Sequence, residues 1–144
     1  MTLEIKLCVT DEDKKIAFSL RRKVFIEEQG IDESLDFDGK DGEANHIISL
    51  VSNNPVGVAR VRFIDDKAKL ERIATLKKYR GKGYGEKMMK YLVEYCKTKK
   101  VSEIYFDSQK HAKIFYEKLG FKQRGEEFEE AGIPHVEMYL QMKK

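Results

Sequence analysis

The stretch that most limits what this chain can fold into runs from Lys69 to Tyr95. Leu70 to Leu76 is a short apolar strand, and Lys77 to Gly85 is basic and punctuated by glycine. Met88, Met89, Leu92, Val93 and Cys96 then recur at three- and four-residue spacings, the stripe of an amphipathic helix. A strand that turns through glycine into a helix presents unpaired backbone N–H groups and the positive end of the helix dipole to an anion. Lys77, Lys78, Arg80, Lys82, Lys87 and Lys90 surround that turn, with Glu86 as the nearby acid. The turn is built for phosphate.

Elimination narrows the phosphate ligand. A Walker loop carries lysine and then serine or threonine directly after its last glycine, but Gly85 is followed by Glu86 and Lys87. A dinucleotide fingerprint needs G-x-G-x-x-G, whereas Gly81, Gly83 and Gly85 give G-x-G-x-G. There remains Arg80-Gly81-Lys82-Gly83-Tyr84-Gly85, an R-x-x-G-x-G pattern after a strand, followed later by FYEKLGF from Phe115 to Phe121. This combination resembles the acetyl-CoA pyrophosphate loop and later helix of the GNAT N-acetyltransferase superfamily. RRKVFIEEQGI, DFDGKD, His46 and GIPHVEM add a resemblance, over nearly the whole chain, to the small ElaA/YjcF-like branch; Glu28, Gln29, Asp38, Asp41 and His46 are matching positions.

The resemblance implies an α/β (α+β) fold. Its single mixed, mostly antiparallel sheet has six to seven strands, about four flanking helices, and splayed fourth and fifth strands. It implies acetyl-CoA as co-substrate and direct transfer to a primary amine of a small molecule or protein. A non-catalytic acyl-CoA sensor or interaction module is the alternative. Backbone N–H groups of Lys82, Gly83, Tyr84 and Gly85, with Gly81 and the charge of Arg80, would cradle the diphosphate. Ile73, Ala74 and Thr75 would pair with the pantetheine amides, and Ser108 and Phe115 would complete the cofactor side. Many relatives have asparagine where Asp107-Ser108-Gln109 stands, which alters one CoA contact.

Tyr116 matches the tyrosine implied as general acid to the departing thiolate. Core packing is its other role, since Phe115 and Tyr116 are adjacent on a helix and one must face inward. His135 is implied as a site residue. His135 and His46 are the groups able to titrate near neutrality, and ordered water is a further route for the amine proton. Glu71 and Arg72 are expected on opposite faces of their strand, so that one of them sees the cleft. Glu28, Asp38 and Arg72 are the expected acceptor-binding residues.

Bulk properties agree with one domain spanning 1–144, a length sufficient for a single core. No apolar run reaches membrane-spanning length, and the first residues lack the order of a signal peptide. Cys8 and Cys96 lack metal-ligand or C-x-x-C spacing and read as reduced core residues, consistent with a cytoplasmic protein. Residues 1–66 carry 9 bases and 14 acids (−5), and residues 67–144 carry 19 and 11 (+8), which suits a polyanionic cofactor beside a cationic acceptor. The basic residues gather at one turn without interleaved aromatics, which argues against nucleic acid. His46, His111 and His135 lack ligand spacing, so no metal is expected. Apolar strands at the C-terminal sheet edge would suit a homodimer.

Elsewhere, Thr10 followed by Asp11, Glu12 and Asp13 marks a helix start, whose Arg21, Arg22 and Lys23 read as a solvated face. Residues 26–41 hold seven acids and one lysine and read as a weakly structured connection. An acceptor-binding rim and an acidic solvent loop anchored by Ile31, Leu35 and Phe37 are both open. Ser52 to Pro55 signals a hairpin. Gly57 suggests a bulge or close backbone approach. Arg60 and Arg62 share a sheet face. EEAGIP reads as a loop rather than a tight turn.

Overall fold

Six strands come from alternating or continuous apolar runs, β1 (Leu3–Leu7), β2 (Asn45–Val51), β3 (Asn54–Ile64), β4 (Lys67–Thr75), β5 (Glu103–Gln109) and β7 (Ile133–Gln141), and a seventh, β6 (Lys122–Glu130), is mostly charged and exposed. The computed structural model describes residues 2–142; Met1, Lys143 and Lys144, at the ends of the expected 1–144 span, lie outside the described residues. The strands form one sheet in the order β1-β2-β3-β4-β5-β7-β6. All neighbours are antiparallel except β4 and β5. That parallel pair is short. It joins Lys67 to Glu103, Ala68 to Ile104 and Lys69 to Tyr105, after which the two strands part.

Helices cover both faces. On one, α1 (Asp11–Arg21) is capped by the Thr10 hydroxyl, which accepts from the Asp13 N–H at 3.1 Å, and packs Ala17 and Leu20 against Ile48, Leu50 and Val58. On the other, α3 (Tyr84–Thr98) brings Met88, Met89, Leu92 and Cys96 onto Ile47, Val61, Leu70 and Ile104, and α4 (Lys113–Lys118) adds Tyr116. Ile47 and Ile48 belong to opposite clusters, the two-residue period of a strand buried on both faces. Gly57 is a point of close approach: a Cβ there would sit 2.8 Å from Ser49 Oγ and 3.0 Å from the Ala74 carbonyl oxygen.

Two expectations are corrected. β6 and β7 are joined by a two-residue turn, Ala131-Gly132, with Glu130 paired to Ile133 and φ of 52° and 75°. Alanine is a poor left-handed residue, so Gly132 was the one local signal for this tight turn.

The second concerns the acidic stretch, which is not a weakly structured solvent loop. After α1 the chain widens into a π-helical turn (Arg22–Glu28), passes a short α2 (Glu33–Asp36), and folds its acids inward onto arginines. Arg21, expected in solvent, is fully buried and bonds Asp36 (3.2 Å) and Asp41 (2.7 Å), with Phe37 across its guanidinium plane at 4.5 Å. Arg60, also fully buried, takes Asp38 and Asp41 at 2.9 Å and Glu71 at 3.0 Å. Arg22 and Lys23 are exposed, as a solvated face requires.

Candidate active site

A cleft of about 720 Å³ opens where β4 and β5 part, bordered by Glu71 to Thr75 on one side and Asp107 to Gln109 on the other. The β4 wall is irregular for a definable reason. Arg60 pairs with Glu71 and Val58 with Ala74, so Arg72 and Ile73 together stand opposite the single residue Ala59. Arg72 adopts φ of 53° to make this bulge. The bulge breaks strand alternation, and both Glu71 and Arg72 border the cleft; the expectation that one alone could do so is corrected.

Arg72 is anchored rather than free. Its Nη2 donates to the Leu35 carbonyl at 2.8 Å and its Nε lies 3.0 Å from Asp36 Oδ1, tying β4 to the acidic segment. Burial, then the charge of Arg60, lowers its pKa below the ordinary value. Burial pushes the Glu71 carboxyl up, but the Arg62 hydrogen bond and the charges of Arg60, Arg62 and Lys69 bring it below the usual range. Glu71 is therefore a committed anion, unsuited to take a proton. Asp38 lies outside the cleft border, its carboxylate held by Arg60 and, at 3.4 Å, by Arg72. Those hydrogen bonds hold it well below the usual carboxylate range. Expected at the acceptor, it is placed instead in the ionic network that joins the acidic segment to the sheet.

At one end of the cleft the chain leaves β4 through a single 3₁₀ turn (Lys77–Tyr79) and enters α3. Gly81 and Gly83 have φ of 77° and 83°, the left-handed region that glycine adopts at least cost. Gly83 is the N-cap and supplies no side-chain acceptor, and the first intrahelical bond runs from Lys87 N–H to the Gly83 carbonyl. The amides of Tyr84, Gly85 and Glu86 thus precede the helical ladder. Arg80, Gly81, Gly83, Tyr84 and Gly85 border the cleft, and Lys82 is exposed beyond it. Arg80 already has partners: it forks onto Glu28 at 2.6 and 2.8 Å and donates to the Thr75 carbonyl at 2.9 Å. Glu28, expected at the acceptor, borders the cleft as the anion on Arg80.

Tyr116 is packed in the core and also reaches the cleft. Its ring is 9% exposed and meets Phe106 edge-on at 4.7 Å, yet it borders the cleft beside the more exposed Phe115. Burial pushes its hydroxyl up to about 12, so it holds its proton at neutral pH. His135 borders the cleft from β7 and stacks on Phe128 at 5.9 Å. Its Nδ1 lies 2.7 Å from the Ile133 carbonyl oxygen, which only accepts, so Nδ1 carries the hydrogen and Nε2 keeps a lone pair, 3.7 Å from Glu130 Oε2. His46 stands apart, buried, with Nε2 at 3.1 Å from the Asp41 carbonyl and its ring edge-on to Phe18; burial lowers its pKa. Ser108 is buried at the border and its hydroxyl donates to the Gln109 carbonyl at 2.8 Å.

The sequence reading missed a polar bridge across the cleft. Gln109 donates from Nε2 to Gln29 Oε1 at 2.9 Å, and its Oε1 lies 2.8 Å from His111 Nε2. The signal was present in Gln29 of the matching E-Q segment, but its cross-chain mate on β5 has no local signature. Among the described residues, no group of three or more His, Cys, Asp or Glu side chains is placed to hold a metal ion. No described helix is long and apolar enough to cross a membrane.

A sheet split at its fourth and fifth strands, with an uncapped glycine-entered helix at the mouth, is the architecture of an acyltransferase in this superfamily. Residues 9–142 match the family described as acetyltransferase (GNAT) domain, and the chain belongs to that family. The uncharacterized N-acetyltransferase YjcF of Bacillus subtilis is 37% identical over 129 residues, spanning 89% of this chain and 92% of YjcF. The crystal structure of Escherichia coli ElaA superposes with a TM-score of 0.86 at 27% identity, over 96% of this chain and 99% of that one. A Bacillus subtilis acetyltransferase solved in complex with CoA shares the fold, with a TM-score of 0.77 at 19% identity over 99% and 100% of the two chains.

Proposed function

We propose that the protein transfers the acetyl group of acetyl-CoA directly to a primary amine of a small molecule or protein. The observation that carries this is the divergence of β4 and β5 after Lys69 and Tyr105, which opens a cleft ending at the uncapped start of α3. The residues fit the cofactor. A Cβ at Gly81 or Gly83 would meet nothing within 4 Å, so the space above those amides is open to a diphosphate. The CoA complex of the structural neighbour supports the same ligand. Acetyl-CoA would supply an activated acyl group on a thiol leaving group.

The chain's own residues divide the remaining work. Backbone N–H groups from Gly81 to Gly85 and the surrounding lysines bind the diphosphate. The backbone of Ile73, Ala74 and Thr75, freed from β5 by the split, pairs with the amides of the pantetheine arm and aims the thioester down the cleft. Tyr116, protonated at neutral pH, gives its hydroxyl proton to the departing thiolate. His135 Nε2 receives the proton of the amine, directly or through water. Arg72 shapes the acceptor end from its bulge.

The test is thiol release across an amine panel with wild type, Tyr116→Phe and His135→Ala, beside calorimetric titration of CoA. Each substitution should lower turnover by about 10²-fold or more while CoA affinity holds. Tight acetyl-CoA binding without turnover on any amine would favour a non-catalytic sensor, and absence of CoA affinity would overturn the reading.

A further inference from the structure

Asp107 is a half-buried carboxylate in the cleft wall to which the mechanism above gives no task. It stands on β5 opposite Glu137 of β7, and Gln109 stands opposite His135, so Asp107, Glu137 and His135 share one sheet face. The charges facing it are Lys69 of β4, Glu130 of β6, and Glu137 and His135 of β7. Of these, Lys69 is engaged with Glu71 at 3.7 Å and Glu137 with Arg124 at 2.8 Å, while Glu130 Oε2 lies 3.7 Å from His135 Nε2. The Asp107 carboxylate makes no hydrogen bond or ion pair among the described residues.

An unpaired carboxylate facing a cleft is costly unless a cation completes it. Burial raises the Asp107 carboxyl above the usual range; Lys69 draws it back, and Glu130 and Glu137 push it up again. A positive ligand would relieve that tension, and an anionic one would add to it.

We infer that Asp107 holds the acceptor as its ammonium ion beside His135, and so selects cationic amines over neutral and anionic acceptors. The inference rests on the acyltransferase reading and names the residue that chooses its acceptor. Held there, the ammonium loses one N–H proton to His135 Nε2, the freed nitrogen lone pair forms the new C–N bond, the C–S bond breaks with its electrons leaving on sulfur, which takes the Tyr116 proton, and the second N–H proton passes to the Tyr116 oxygen. Asp107 is retained as an anion throughout. Its work is to place the amine nitrogen between His135 and the thioester carbon.

The experiment is a ligand-observed NMR titration of CoA-saturated protein with n-butylamine, 1-butanol and butyrate, probes of equal chain length and different charge. Wild type should bind butylamine about tenfold more tightly than butanol, the scale of one charge-assisted hydrogen bond at a half-exposed site, and butyrate more weakly still. Asp107→Asn should bring butylamine and butanol within twofold while CoA affinity changes by less than twofold. Asp107→Glu, which keeps the charge, should retain a preference and guards against a folding artefact. In steady state with an accepted amine, Asp107→Asn should raise KM about tenfold with a smaller change in kcat.

An equal preference in wild type and Asp107→Asn, or none in wild type, overturns the inference while leaving CoA binding intact. If CoA fails to bind wild type, the acyltransferase reading falls by itself. The amine-against-alcohol comparison on the unliganded protein then still decides the role of Asp107.

Discussion

Replacing Arg60 by methionine removes a guanidinium with no exposed surface that holds three carboxylates at 2.9 to 3.0 Å. Methionine fills much of the volume, so the loss is chiefly electrostatic. Breaking a buried ion pair from one side costs about 3–5 kcal/mol because the stranded charge cannot be hydrated. Here two of the three acids keep a second strong partner: Asp41 retains Arg21 at 2.7 Å and Glu71 retains Arg62 at 2.6 Å. Asp38 keeps a 3.4 Å contact to Arg72 and the Lys40 backbone N–H at 3.1 Å, but no second close cation. One stranded carboxylate places the expected loss near the lower bound, about 3 kcal/mol. For a chain of this length that lowers Tm by about 6–12 °C and leaves the protein folded.

The pH dependence supplies a second signature. The folded-state pKa of Asp38 lies below its unfolded value, so its stabilisation is present above about pH 4 and is lost as pH falls through the folded value. In Arg60→Met that contribution shrinks, and the gap to wild type should narrow on acidification below about pH 4. Urea denaturation at pH 7 and at pH 3.5 measures both effects. The double variant Arg60→Met/Asp38→Asn should recover part of the loss. A deficit under about 1 kcal/mol at pH 7, or one that widens in acid, would refute the claim that these ions hold the acidic segment in place.

Gly57→Ala should cost about 1–3 kcal/mol by differential scanning calorimetry, because its Cβ would press on Ser49 and on the Ala74 carbonyl; the accompanying shift of β4 should weaken CoA binding. Gly83→Ala, at φ of 83°, should destabilise by about 1–2 kcal/mol and reduce calorimetric CoA affinity, since the left-handed turn aims the first amides of α3. Glu28→Gln releases Arg80 from its forked carboxylate and should raise CoA affinity a fewfold; unchanged affinity would mean that Arg80 never meets the diphosphate.

The Lys69–Tyr95 stretch determined by itself the glycine loop and the helix that follows. Glycine spacing and a 3.6-residue apolar period are local physics, and their resemblance to one family carried the split sheet with it. Thr10 was legible for the same reason, a cap that answers to its immediate neighbours in the chain. What tertiary structure alone decided was the fate of charge. Arg21 read as a solvated residue, Arg60 only as a sheet-face neighbour of Arg62, and Asp36, Asp38 and Asp41 as part of a stretch open between rim and solvent loop, because a local pattern cannot show that two distant segments will meet and neutralise one another. Arg72 and Glu71 likewise reach the cleft together because of a bulge set by pairing with β3. The unpaired state of the Asp107 carboxylate follows only from where Lys69 and Glu137 find their partners in three dimensions.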